Sequence, residues 1–222
     1  MGLVTLGSLR TQAKERADML KSRFIADSEW NSYINLSYAE LEDLLIATAE
    51  DYKTISATII VDGSQDAVAL PANFYKGIGV DYDVSGRKRP MDKFMFRDRN
   101  NYQNQTEQNV LRYRFVKNQI QFIPRASAQS FTLWYVPVTT PLVLDSDTMD
   151  GVNGFEDYVI VRSAIRALVK EESNPAALMQ ELSMLKQRVI DMAANRDQGA
   201  PERVTDVLRP QYDTNLVGYD GI

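Results

Sequence analysis

The apolar residues of this chain change period twice, and that switch constrains the fold more than any other feature. Between residues 6 and 20 they fall at Leu6, Leu9, Ala13, Ala17 and Leu20, a spacing that draws one stripe along a helix. Thr5 stands where an N-cap would, with Ser8 three residues on. A second helix is expected over residues 27–45, with Asp27 as N-cap, Glu29 in the first turn, and Trp30, Tyr33, Ile34, Leu41, Leu44 and Leu45 making a broad apolar face. The short connection at 21–26 predicts an antiparallel pairing of the two.

After Tyr52 the period becomes that of strands. Residues 54–61 read TISATIIV, and Asp62-Gly63 then predicts a β-hairpin with a short run at 67–70. Ile78, Val80, Tyr82 and Val84 alternate in a third strand, where Gly77 and Gly79 mark a bulge or a close backbone approach. Ser85-Gly86 turns the chain, and Pro90 introduces a short helix expected over 91–101. Runs at 111–117 and 119–124 flank Asn118, and Phe131, Leu133 and Tyr135 alternate after them. A single small antiparallel sheet of five or six strands is the expectation.

Helical spacing returns with Phe155, Tyr158, Val159, Ile165, Leu168 and Val169, and then with Leu178, Leu182, Leu185, Val189 and Met192 over residues 175–196. The narrow seam of the latter suits close helix packing. Residues 197–222 have no such period, contain Pro201, Pro210 and three glycines, and read as extended. The predicted architecture is α+β: a discontinuous antiparallel bundle of about four long helices (1–52 plus 142–196), an inserted β-rich domain (53–141), and an extended C-terminal partner-binding tail (197–222). Both crossings, at Tyr52 and around Pro141, must then lie near each other.

Composition removes whole classes of chemistry. In 222 residues there is no histidine and no cysteine. Serine–histidine and cysteine–histidine nucleophile systems, zinc fingers, iron–sulfur clusters and disulfide scaffolds are therefore excluded. Carboxylates remain, and a glycosidase needs two of them about 5–10 Å apart. Glu15 with Asp18, and Glu40 with Asp43, lie one helical turn apart, although acidic residues on such helices ordinarily form a solvated face. The stretch DSDTMD at 145–150 suggests an oxygen-ligand cation loop, yet Asp150 stands where an EF-hand needs glycine. Asp147 or Asp150 more simply belongs to the turn before the third helix. No catalytic residue, metal set or cofactor is assigned.

The formal charge of −5 is unevenly distributed. Residues 85–125 hold ten Lys and Arg against three acidic residues, a net +7 that leaves −12 for the remainder. Interleaved Phe94, Phe96, Tyr102 and Tyr113 would allow phosphate neutralisation with base stacking, but no recognised reading module accompanies them, and an acidic protein partner is the favoured reading. The tail carries too many apolar groups for a solvating segment and is read as ordering on a partner. No run reaches the roughly 18–20 apolar residues that span a bilayer. Residues 1–9 lack the pattern of a secretory signal, so synthesis in the cytosol is expected.

The segments LRTQAKERADM, DSEWNSYINLSYAELEDLL, LPANFYKGIGVDY and FEDYVIVRSAIRALVKEES, in this order and spacing, resemble the head-to-tail adaptor (connector) proteins of short-tailed bacteriophages. The resemblance implies a structural protein of the virion head–tail junction, assembled in the host cytoplasm. It further implies a homo-oligomeric ring, usually of twelve copies, that sits beneath the portal protein, extends the channel for double-stranded DNA without binding it specifically, and presents a platform to tail or nozzle proteins. On that reading the tail, through Arg203, Val207, Leu208, Tyr212, Leu216, Tyr219 and Ile222, meets the portal. Arg87, Lys88, Arg89, Lys93 and Arg97 meet a tail protein or a neighbouring subunit, and Trp30, Tyr33, Leu41, Leu182, Leu185 and Val189 pack the ring wall. The competing readings are a carboxylate-dependent peptidoglycan hydrolase of the virion and a single-strand nucleic-acid-binding protein.

Overall fold

A computed structural model describes residues 4–49, 51–84, 86–102, 111–149 and 154–195. Along the chain these form β1 (Val4–Thr5), α1 (Leu6–Arg16), α2 (Asp27–Thr48), β2 (Ile55–Val61), β3 (Ala67–Ala69), β4 (Phe74–Val84) and β5 (Arg87–Pro90). A 3-10 turn (Phe96–Asp98) leads into α3 (Arg99–Tyr102), followed by β6 (Arg112–Val116), β7 (Gln119–Ile123), β8 (Gln129–Pro137), β9 (Thr148–Met149), α4 (Glu156–Lys170) and α5 (Ala176–Ala194).

The expected bundle of four long helices is corrected. Among the described residues there are five helices, four of them with seven or more residues, beside three antiparallel sheets, so the fold is mixed α+β. Two physical causes separate the outcome from the expectation. Thr5 does cap α1, its hydroxyl accepting the Ser8 N–H at 3.2 Å, but the helix stops at Arg16 after only 11 residues. Asp18 turns into the left-handed region at φ 56°, and the N–H groups of Asp18 and Met19 then donate to the carbonyls of Glu15 and Lys14. That is a Schellman closure with aspartate where glycine is usual. Second, α5 fully buries only Val189 and Ala193, with Leu178, Leu182 and Leu185 half-buried and Met192 exposed, so it lies along the outside. Glu172, at φ 61°, ends α4 in the same way as Asp18 ends α1.

One hydrophobic cluster joins α1, α2, α4 and α5 through Leu6, Leu9, Trp30, Ile34, Leu41, Val159, Ala164 and Val189. The N-cap of α2 is Ala26, one residue before the expected Asp27. Asp27 instead sits in the first turn, where its carboxylate receives Lys14 at 2.5 Å and still faces the positive end of the helix dipole.

The single expected sheet is two. One runs in the order β2-β8-β4-β5 and the other β3-β7-β6, while β1 and β9 form a separate pair. The predicted hairpin of residues 54–61 with 67–70 therefore does not form: β2 pairs with β8, and β3 with β7. Gly63 at φ 83° and the Asp62 carboxylate, which accepts both the N–H and the hydroxyl of Ser64 at 2.8 Å, turn the chain out of one sheet and into the other. Both sheets feed a second cluster that includes Ile59, Val61, Val80, Tyr113, Ile120, Phe122, Phe131 and Leu133. In it the Phe122 and Phe131 rings stack at 4.5 Å.

β4 breaks register with β8 around Gly77 and Gly79, as their positions suggested. A Cβ on Gly77 would stand 2.1 Å from the Phe115 ring, so the glycine is required by close approach. The helix expected at 91–101 is corrected as well. Pro90 ends strand β5 opposite Asp81, Lys93 makes an isolated bridge to Tyr113, and helical turns begin only at Phe96. Proline tolerates this place because β5 is an edge strand, where a missing N–H costs no ladder bond.

Candidate interaction surfaces

A buried charge that the apolar stripe conceals holds the helices to the sheets. Glu42 on α2 is surrounded in sequence by Tyr38, Leu41, Leu45 and Ile46, all buried, and is itself buried. Its carboxylate pairs with Lys53 at the first crossing out of the helices and accepts the Thr139 hydroxyl at the second. The Lys53 ammonium also lies 5.4 Å from the Tyr38 ring centre. Seven residues earlier, Asn35 clamps the second crossing again: its amide donates to the Leu142 carbonyl at 2.9 Å and accepts the Leu142 N–H at 2.8 Å. Tyr75 on β4 donates to Asp43 at 2.8 Å. Sequence reasoning missed Glu42, although a charged residue inside an apolar stripe was the available signal.

Beyond Leu142 the chain forms a loop in which one hydrogen bond follows another. The Asp147 carboxylate accepts the N–H groups of Val143 at 2.7 Å and Leu144 at 2.8 Å, and these bonds draw its pKa below the ordinary aspartate value. Asp145 forms a two-pronged pair with Arg10 at 2.7 and 2.9 Å, which likewise lowers its pKa. Asp147 therefore closes the loop on itself, and Asp145 ties it to α1. Among the described residues no group of three acidic side chains is placed to hold a metal ion, and Asp150 lies outside them.

The basic segment gathers on an edge. Arg87, Lys88 and Arg89 lie in β5, the last strand of its sheet, and all three are exposed. The Lys93 ammonium stands 6.0 Å from the ring centres of both Tyr113 and Phe115. Burial pushes the Tyr113 phenol up to about 12. Phe96 is exposed beneath two guanidinium groups, Arg99 at 4.5 Å and Arg114 at 5.7 Å, while Arg97 projects into solvent 3.7 Å from Asp98. A charged edge of this kind also blocks unintended strand pairing.

The two carboxylate pairs differ in their surroundings. Arg162 and Arg166 both bind Glu40, the former at 2.7 Å, and Asp43 is held by Tyr75. Glu15 and Asp18 are exposed at the end of α1. Glu40 and Asp43 do line a groove of about 550 Å³, together with Leu44, Tyr158, Arg162, Met179, Leu182, Ser183 and Lys186, from α2, α4 and α5.

The residues expected in the ring wall divide in two. Trp30, Leu41 and Val189 are buried inside this chain's own cluster, while Tyr33, Leu182 and Leu185 pack against it half-buried. Tyr33 donates to Glu29 at 2.6 Å, and its phenol is raised to about 12, chiefly by burial. The tail residues Arg203, Val207, Leu208, Tyr212, Leu216, Tyr219 and Ile222 lie outside the described residues. No helix among the described residues is long and apolar enough to cross a membrane.

A family model described as SU10 adaptor protein matches residues 4–207. No curated protein matches the chain.

Proposed function

The chain belongs to the SU10 adaptor protein family, a phage adaptor family with a structural role in the virion, and from that premise we propose that it works as a head-to-tail adaptor. Copies of the chain assemble as a ring beneath the portal protein, extend the channel for DNA, and give tail or nozzle proteins a platform. The helical part, residues 1–52 with 142–196, forms the body of each subunit, and residues 53–141 are a domain inserted into it. The ring contacts use exposed surface of the helices, since Trp30, Leu41 and Val189 are spent on the subunit's own core. The segment 197–222 reaches the portal. The family match supports this by continuing to residue 207, into that segment.

The observation that carries the docking role is the exposed basic edge at Arg87, Lys88 and Arg89, followed in the chain by the exposed Lys93, Phe96 and Arg97. A positive surface with an accessible aromatic ring fits an acidic protein partner, and such surfaces govern the rate and register of association. The surplus of acidic charge elsewhere suits a channel wall that DNA passes without adhering.

Replacing Arg87, Lys88 and Arg89 together by Glu tests the assignment. Tail assembly is expected to fail while portal attachment and melting temperature stay unchanged. Loss of portal attachment with normal tail assembly would reverse the assigned orientation.

A further inference from the structure

The cations of this chain fall into two populations. In the helical part Arg10, Lys14, Arg16, Arg162, Arg166 and Lys170 are each held by a carboxylate of the same chain. In the inserted part Arg97 and Arg125 are paired with Asp98 and Asp66, but Arg87, Lys88, Arg89, Lys93, Arg99 and Arg114 have no carboxylate partner among the described residues. Cations left unpaired in a chain with a surplus of acidic residues are free to take an anion from outside it.

Two of these six are held by a ring instead of a charge. The Arg99 and Arg114 guanidinium groups lie over the Phe96 ring, 4.5 and 5.7 Å from its centre. Arg99 donates to the Phe96 carbonyl at 3.0 Å and Arg114 to the Phe94 carbonyl at 3.5 Å. The backbone that carries the ring is pinned to β6: the Phe94 N–H donates to the Tyr113 carbonyl and the Tyr113 N–H to the Asp92 carbonyl, both at 3.1 Å. A guanidinium has five N–H groups, so each fork keeps most of its donors for an incoming carboxylate, which it can bind through both oxygens. Stacking has already restricted the two side chains, and less entropy is lost when they bind.

The aromatic residues favour carboxylates over nucleic acid as the anion. Binding of a single strand adds base stacking on open rings to phosphate contacts. Here Phe94 and Tyr113 are buried, and Arg99 already lies over Phe96. Alternate residues of an extended segment share one face about 7 Å apart, a span that the two ring distances accommodate.

We propose that Arg99 and Arg114, stacked on Phe96, form a receptor for two carboxylates at alternate positions of an extended acidic segment of the docking partner. The inference rests on the docking reading above and adds the residues that fix the partner's register.

Fluorescence polarisation on the full chain tests it, with a labelled octapeptide alternating glutamate with threonine and a second in which glutamine replaces glutamate. The glutamate peptide is expected to bind at least tenfold more tightly. Arg99→Lys with Arg114→Lys keeps both charges but loses both forks, and should lower that affinity at least tenfold with an unchanged circular dichroism spectrum. Phe96→Ala should do the same, whereas Arg125→Gln should leave the affinity unchanged. A lysine pair that binds as tightly as the parent would overturn the receptor, and so would an oligothymidylate of equal charge that binds tenfold more tightly than the glutamate peptide. In phage assembly the lysine pair should reduce tail attachment at least tenfold. Normal attachment by the lysine pair, with failure of the chain carrying Arg87→Glu, Lys88→Glu and Arg89→Glu, would overturn the receptor and leave the docking reading standing. Normal attachment by both chains would overturn the two together.

Discussion

Truncating Glu42 to alanine should loosen both crossings between helices and sheets at once. The carboxylate is the shared partner of Lys53 on the outgoing segment and of Thr139 on the returning one. Removing one member of a buried ion pair costs roughly 3–5 kcal/mol, because the other charge stays desolvated. Here the Glu42 side chain is 4% exposed but Lys53 is 22% exposed, so the stranded ammonium recovers part of its hydration. A loss of about 2–3 kcal/mol is the corresponding expectation. For a chain of this length that is a fall of roughly 5–10 °C in melting temperature. Replacing both partners, Glu42→Met with Lys53→Met, removes the stranded charge and should restore most of the stability, since well-packed apolar substitutes for a buried pair are often neutral. Urea unfolding measures the total, and amide hydrogen exchange locates it. Exchange should quicken together at residues 52–54 and 138–142 in the single variant and return toward the parent rate in the double variant. A single variant within 0.5 kcal/mol of the parent (about twofold in the unfolding constant) would refute the bridge, as would a double variant as unstable as the single one.

Three further outcomes follow from the same geometry. Gly77→Ala should cost about 1–3 kcal/mol by pushing the Phe115 ring off Phe74 and Tyr113, and the cost should largely vanish in a Phe115→Ala background, measured as a double-mutant cycle by chemical denaturation. Glu172→Gly should stabilise the chain by about 0.5–1 kcal/mol, because glycine adopts the left-handed turn ending α4 without the steric cost that glutamate bears there. The loop at 142–147 should open in acid: Asp145 and Asp147 titrate below their ordinary 3.8, so their contribution is present above that pH and lost as pH falls through their lowered values. Nuclear magnetic resonance of the Val143 and Leu144 amides from pH 6 to 2 follows it, and amide shifts that change instead near pH 5 would contradict the assignment.

The distribution of elements was legible wherever burial imposed a simple period. The stripes of α2 and α4, the Thr5 cap and the break at Asn118 between β6 and β7 could be read because each answers to a local rule. Helix ends were less legible, because Asp18 and Glu172 close their helices in a conformation usually left to glycine, and nothing in their own chemistry announces it. The division into two sheets was hidden for a different reason. Alternation tells which face of a strand is buried and is silent on which strand lies beside it, so β2 and β3, separated by a turn signal, read as a hairpin. Pro90 reads in the sequence as a helix start, whereas it ends β5 opposite Asp81, nine residues earlier on the neighbouring strand β4. Of the candidate surfaces, the basic residues could be picked out from charge alone, whereas their place on an edge strand required the fold. Glu42 carried a signal, a charge inside an apolar stripe, but its bond to Thr139 and the Asn35 clamp on Leu142 join residues about a hundred apart in sequence and required the fold.

The most direct test of the account is co-purification with the portal protein of the same phage, comparing the full chain with one ending at Arg196 and imaging each complex. The full chain should form a ring on the portal, and the shortened chain should keep its helical fold yet fail to attach. Equal attachment by both chains would remove residues 197–222 from the mechanism, and attachment by neither would contradict the adaptor role itself.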